Sequence, residues 1–157
     1  MSYAIDMPRP VETPEKNLWT VTVNSMSELM RELKRCDEQQ TMIFIKAGAV
    51  WCGPCKTIQP FFDALMQHWN KRVSLSVIEF NIDDAEQVSE YFNVSRIPHF
   101  ICLLPRPHPT LTVKELRNVG GDPTKLEQWV TNIMQKWIVG IQPPFPFANT
   151  QPSEVAR

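Results

Sequence analysis

The sequence predicts an α/β fold: a central, mixed, five-stranded sheet with helices on both faces. Three features of the chain lead there. Strand-like and helix-like patterns follow one another in the order β, α, β, α, β, α, β, β, α, and strands that alternate with helices run parallel through right-handed crossovers. The last two strands are neighbours in the chain, which gives a hairpin and an antiparallel pair. Met42 to Ala47 is apolar on both faces apart from Lys46, the pattern of a central strand covered on both sides.

Residues 1–17 are polar and dotted with Pro8, Pro10 and Pro14, and read as an N-terminal extension. Leu18 to Val23 sets Leu18, Thr20 and Thr22 against Trp19, Val21 and Val23, which suits a short strand. Ser25 with Glu28 forms a capping box, and Met26, Leu29, Met30 and Leu33 carry a helix to about Cys36. Cys36 reads as a small buried apolar residue rather than a regulatory thiol. After the strand at Met42 to Ala47, Ile58, Phe61, Phe62, Leu65 and Trp69 recur at helical spacing. Pro60 lies inside that helix, where it removes a backbone bond and should kink it. Val73 to Ile82 sets Val73, Leu75 and Val77 against Ile78, Phe80 and Ile82, with a phase shift between, and reads as a second buried strand. Asp84 is placed to cap a short helix carrying Val88, Tyr91 and Phe92.

Ile97-Pro98 then opens the apolar run Phe100 to Leu104, where Cys102 reads as core. Pro105, Pro107 and Pro109 make a stiff connector. Leu111 to Val119 reads as a weaker strand interrupted near Glu115, and Gly120-Gly121 as a turn. Asp122 caps the last helix, Pro123 takes its first position, and Leu126, Trp129, Val130, Ile133 and Trp137 form its apolar stripe, with Gly140 as its stop. Residues 139–157, with Pro143, Pro144, Phe145, Pro146 and Phe147, read as an extended tail, which leaves 18–138 as the folded domain. There are no internal repeats.

At 157 residues the chain fits one domain with extra sequence. A net charge of −1 points to neither nucleic acid nor an anionic membrane. No apolar run is long enough to span a bilayer. Asp6, Pro8 and Pro10 stand where a signal peptide has a basic start and an apolar block, so a cytoplasmic protein is expected. The four cysteines, Cys36, Cys52, Cys55 and Cys102, do not make two CxxC pairs, so a four-cysteine zinc site lacks its second half, and neither metal nor cofactor is expected. His68 and His108 read as surface residues.

The chemistry centres on Trp51-Cys52-Gly53-Pro54-Cys55-Lys56. A CxxC alone is ambiguous between redox and zinc; one set between a buried strand and a helix is a strong redox signal. The spacing suits a disulfide closed within one turn of backbone. It also puts the first sulfur at a helix N-terminus, where unpaired N–H groups and the helix dipole favour a thiolate.

These residues resemble the thioredoxin family over roughly 18 to 138. The resemblance is carried by Trp51-Cys52-Gly53-Pro54-Cys55-Lys56, Pro60, Asn81-Ile82-Asp83, Ile97-Pro98 and Val119-Gly120. It implies the thioredoxin fold, a cis Ile97-Pro98 peptide facing the dithiol, and reduction of protein disulfides with re-reduction by a thioredoxin-reductase-like partner. Cys52, first in the motif and expected to be exposed, is the candidate nucleophile, and Cys55, buried one turn on, resolves the mixed disulfide. Gly53 lets the backbone turn closely and Pro54 fixes φ without an N–H bond. Trp51 with Ile97 and Pro98 forms the apolar rim where a substrate chain would lie.

The departures from the family are specific. Its buried Asp before the motif is Lys46 here, and its buried Lys on the next strand is Glu79, so the charges are exchanged. The pair either points to solvent or to each other, or forms a partly buried ion pair beneath Cys55. A protonated Lys46 cannot take the proton of Cys55. It would favour the thiolate electrostatically, or Glu79 would act as base through a water, so Glu79→Gln is expected to slow resolution more than Lys46→Met. Ala47, Gly48 and Ala49 leave a barer surface than the aromatic residues common in the family. His99, where a Thr is common, is either a tuner of the dithiol or an ordinary half-exposed histidine. The alternative function is a thioredoxin-fold binding or scaffold module using the groove or the Pro-Phe tail, as in a spliceosomal thioredoxin-like subunit that lacks the intact motif; a disulfide isomerase or oxidant is the other.

Overall fold

The structure is a computed structural model that describes residues 18–141; the readings of the N-terminal extension and of the tail beyond Ile141 lie outside the described residues. Five strands, β1 (Trp19–Thr22), β2 (Met42–Gly48), β3 (Leu75–Asn81), β4 (His99–Leu103) and β5 (Arg117–Val119), form one sheet in the order β1-β3-β2-β4-β5. β1, β3 and β2 are parallel; β4 is antiparallel to β2, and β5 to β4. The mixed sheet and its closing hairpin are those expected from the element order. The helices are α1 (Met26–Gln39), α2 (Gly53–Asn70), α3 (Glu86–Tyr91) and α4 (Pro123–Ile141).

Alternation along the central strands builds two cores. Met42 and Phe44 of β2, Leu75 and Val77 of β3, and Phe100 and Cys102 of β4 pack against α2 and α4 through Ile58, Phe62, Leu126 and Ile133. Ile43, Ile45 and Ala47, Ile78 and Phe80, and Ile101 pack on the other face with Leu29 and Cys36 of α1 and Val88 of α3. Because β3 is buried on both sides, consecutive Val77 and Ile78 simply face opposite ways, so the expected phase shift does not exist.

Several ends differ from expectation for local reasons. The Ser25 cap forms, with Ser25 Oγ accepting from the Glu28 N–H at 3.2 Å and Glu28 Oε1 from the Asn24 N–H at 2.7 Å. α1 then runs one polar turn past Cys36 and stops at Gln40 in the left-handed region, φ 55°. Asp84 does not cap α3: Asn81 O accepts from Asp84 and Ala85 N–H groups, and Ala85 holds the cap position without a side-chain bond. Leu111 to Val113 is not strand. Thr112 and Glu115 cap one another, with Thr112 N–H to Glu115 Oε1 at 3.0 Å and Glu115 N–H to Thr112 Oγ1 at 3.2 Å, and this closes a 3-10 turn at Lys114–Leu116. Gly140 does not stop α4, which continues to Ile141; one glycine weakens a helix by about 1 kcal/mol and does not end it. Pro60 sits inside an α2 that continues past it.

Candidate active site

The dithiol stands where β2 gives way to α2. The Cys52 N–H bonds Ala49 O at 3.2 Å, turning the chain, and Cys52 becomes the N-cap of α2. Its Sγ accepts from the Cys55 N–H at 3.2 Å, one of the donors a helix start leaves open. Pro54 sits in the first turn, where its missing N–H is not needed. Cys52 and Cys55 are joined by a disulfide with Cα atoms 5.3 Å apart. Cys55 is buried as expected, but Cys52 is not exposed: the two are 3% and 4% accessible. In the disulfide form the Cys52 sulfur is turned inward, onto Cys55 and its N–H. Gly53 is not in the left-handed region, and a Cβ there would meet nothing within 4 Å, so no tight turn requires it; it leaves that side of the motif open.

Two walls flank the motif. Trp51 is 67% exposed, yet its indole is aimed, because Nε1 donates to Asp83 Oδ2 at 2.7 Å and Asn81 Oδ1 accepts from the Asp83 N–H at 2.8 Å. Asn81-Ile82-Asp83 thus serves to hold the tryptophan. Ile97-Pro98 is cis, with Pro98 buried and Ile97 partly so. The Gly120 N–H donates to Pro98 O at 2.9 Å, with Gly120 at φ +112° where glycine is favoured, and a Cβ on Gly121 would meet Pro54 Cβ at 3.0 Å. Gly120 therefore ties the cis-proline to the loop after β5, and Gly121 gives that loop room to pass close to Pro54.

Beneath the disulfide, Lys46 and Glu79 are direct neighbours in the β2–β3 register and share one face. Lys46 is only 7% exposed, so it does not point to solvent. Nor does it pair directly with Glu79. Its Nζ donates to Cys55 O at 3.1 Å and to Gln59 Oε1, while Gln59 Nε2 donates to Glu79 Oε2 at 3.1 Å and Asp63 Oδ1 at 2.8 Å. The expected ion pair is a cation and two carboxylates joined through one amide. Burial lowers the proton affinity of Lys46, and the charges of Glu79 and Asp63 pull it back up. Gln59 was not singled out from the sequence, although Cys55, Gln59 and Asp63 recur every four residues on one stripe of α2. Gly48, two residues beyond Lys46 on the same face, would place a Cβ 3.3 Å from Cys55 Sγ. Of the bare stretch, Gly48 is thus the floor on which that sulfur rests.

His99 is 6% exposed rather than half-exposed. It lies opposite Ala47, on the α1–α3 face of the sheet and away from the Lys46 side, and Arg117 Nη1 donates to its Nε2 at 3.2 Å. Burial first, and then the Arg117 charge, hold its pKa below the ordinary value of 6.5. His108 is partly buried, with Nε2 2.9 Å from Lys136 O, while His68 is exposed. Among the described residues no cluster of three or more His, Cys, Asp or Glu is placed to hold a metal, and no helix is long and apolar enough to cross a membrane.

The Thioredoxin family profile matches residues 21–131. The chain belongs to the thioredoxin family. Thioredoxin of Gallus gallus is 34% identical over 79 residues, 50% of this chain and 70% of that protein. Among solved structures, a poplar wild-type thioredoxin h matches with a TM-score of 0.60 at 19% identity, covering 73% of this chain and 96% of the other. A thioredoxin pre-protein of Schistosoma mansoni gives 0.57 at 22% identity, covering 73% and 97%. At such identities the two structures establish the thioredoxin fold alone. Membership in the family, with the Cys52–Cys55 pair in place, supports thiol-disulfide oxidoreductase chemistry.

Proposed function

We propose that this protein reduces protein disulfides through Cys52 and Cys55. The observation that carries the reading is the disulfide in the first turn of α2, with the Cys52 sulfur accepting the Cys55 N–H. That N–H and the helix dipole stabilise a thiolate at Cys52 once the pair is reduced. The thiolate attacks one sulfur of a substrate disulfide and forms a mixed disulfide; the other substrate sulfur leaves as a thiolate and takes a proton from water. Cys55 then gives its proton to water and attacks Cys52 Sγ. The Cys52–Cys55 bond forms, the bond to substrate breaks, and the substrate leaves with both cysteines reduced. Two electrons from a thioredoxin-reductase-like donor restore the dithiol, a direction that suits a reducing compartment such as the cytoplasm. Exposed Trp51, open Gly53, Pro54, Ile97 and Pro98 make the groove for the substrate chain.

The test is reduction of insulin disulfides with dithiothreitol as electron source. Wild type is expected to precipitate insulin well ahead of the blank, Cys52→Ser to fall to the blank, and Cys55→Ser to accumulate the mixed disulfide. Wild type no faster than the blank would remove the reductase and leave a binding module; turnover retained by Cys52→Ser would remove the assigned nucleophile.

A further inference from the structure

We propose that Gln59 is a positioning residue for the resolving cysteine: its carboxamide holds the Lys46 amine against the main chain of Cys55 and ties it to Glu79 and Asp63. The inference rests on the oxidoreductase reading. The amide has only one orientation that its partners tolerate. Its oxygen faces an ammonium, which can only donate, and its NH2 group gives one hydrogen to each of two carboxylates, which can only accept. Its partners lie on β2, β3 and the next turn of α2, so the side chain also fixes α2 to the sheet directly below the dithiol.

Electrostatics follow from this placement. A cation beside Cys55 favours its thiolate, the form that attacks. A covered ammonium keeps its proton only while acceptors surround it, and among the described residues Gln59 Oε1 and Cys55 O are the two it has. The titratable groups facing Lys46 are Glu79 from β3 and Asp63 from α2, and its contact with Cys55 is to the main-chain oxygen. In the resolving step Cys55 loses its proton to water, its sulfur bonds Cys52 and the substrate sulfur departs; Lys46 exchanges no atom and acts by charge. Loss of the Lys46 proton then slows the step, which gives its pH profile a falling alkaline limb. On this inference Lys46→Met slows resolution more than Glu79→Gln, the opposite of the ranking expected from sequence, because Lys46 bonds the Cys55 main chain and Glu79 is reached through Gln59.

The experiment follows release of a fluorescent peptide from its mixed disulfide with Cys52 in single turnover, from about pH 6 to about pH 10. Gln59→Leu is expected to move the alkaline limb to lower pH by about one unit, a roughly tenfold slowing at fixed pH on that limb, and Gln59→Glu to move it to higher pH. Lys46→Met is expected to abolish the limb, and adding Gln59→Leu to it to change the rate by less than about twofold. Thermal unfolding of each variant identifies any that does not fold, and Gln59→Glu carries the test if Gln59→Leu is lost. A Gln59 effect of equal size with and without Lys46, or a profile indifferent to both Gln59 variants, overturns the inference while leaving the reductase standing. A wild type that never releases peptide overturns both.

Discussion

Lys46 and His99 are both basic side chains buried on the sheet, one on each face, and the fold treats them differently. Lys46 has two acceptors on α2, the Cys55 main-chain oxygen and Gln59 Oε1. His99 Nε2 faces a guanidinium, which only donates, so Nε2 must be the unprotonated nitrogen. The fold therefore prefers neutral imidazole, and its pKa is lowered by burial and then by Arg117, with the Arg96 main chain opposing. As pH falls below 6.5 the unfolded chain takes up the proton first, so stability drops from there down through the lowered folded pKa and is complete above 6.5. Urea midpoints of His99→Leu and wild type should diverge in favour of the variant as pH is lowered from neutrality to about 5. Parallel curves would show that His99 is not protonating on unfolding.

The connector from β4 to β5 is held by α4. His108 meets Lys136 O, Lys136 Nζ bonds Glu115 Oε2 at 2.9 Å, and Trp129 Nε1 donates to Glu115 O at 2.8 Å. Arg106 lies over the Trp137 ring, 4.8 Å from its centroid. Trp137→Ala should lower unfolding free energy by about 3–5 kcal/mol in urea, because it empties a buried ring site and takes the seat of Arg106. A loss below about 1 kcal/mol would mean that the core closes over the gap. What the sequence made legible at this scale was whatever neighbours in the chain decide among themselves: the Ser25 box, the Asp122 cap, the Leu126-to-Trp137 stripe. The Thr112 and Glu115 pair was equally local, and was hidden because apolar residues around it imitate a strand. Gln59 was not legible as a site residue, since its partners are chosen by how β2, β3 and α2 stack. The burial of His99 likewise depends on strands brought beside it from both sides.

At the scale of the whole molecule, the two remaining thiols are separated by the sheet. Cys36 lies on the buried side of α1 on one face and Cys102 under α2 and α4 on the other, both fully covered, and burial raises the pKa of Cys102 far enough to keep it a thiol. Alkylation of the reduced native protein should therefore modify the dithiol first and reach Cys36 and Cys102 only at the rate of global unfolding. Early labelling of either, read by mass, would show an opening motion within one layer. The strand order also brings the cis-proline and the dithiol loop to one end of the sheet, where Gly120 is bonded to Pro98 and Gly121 passes close to Pro54. Asp122 follows at once, and its carboxylate receives the Thr124 and Lys125 amides at 2.9 and 3.3 Å. A substrate peptide seated at Pro98, as the proposed function requires, is expected to perturb the Gly120 bond and with it the adjoining amides. The Thr124 and Lys125 resonances then become a gauge of cargo on the protein, readable by nuclear magnetic resonance without a label in the groove.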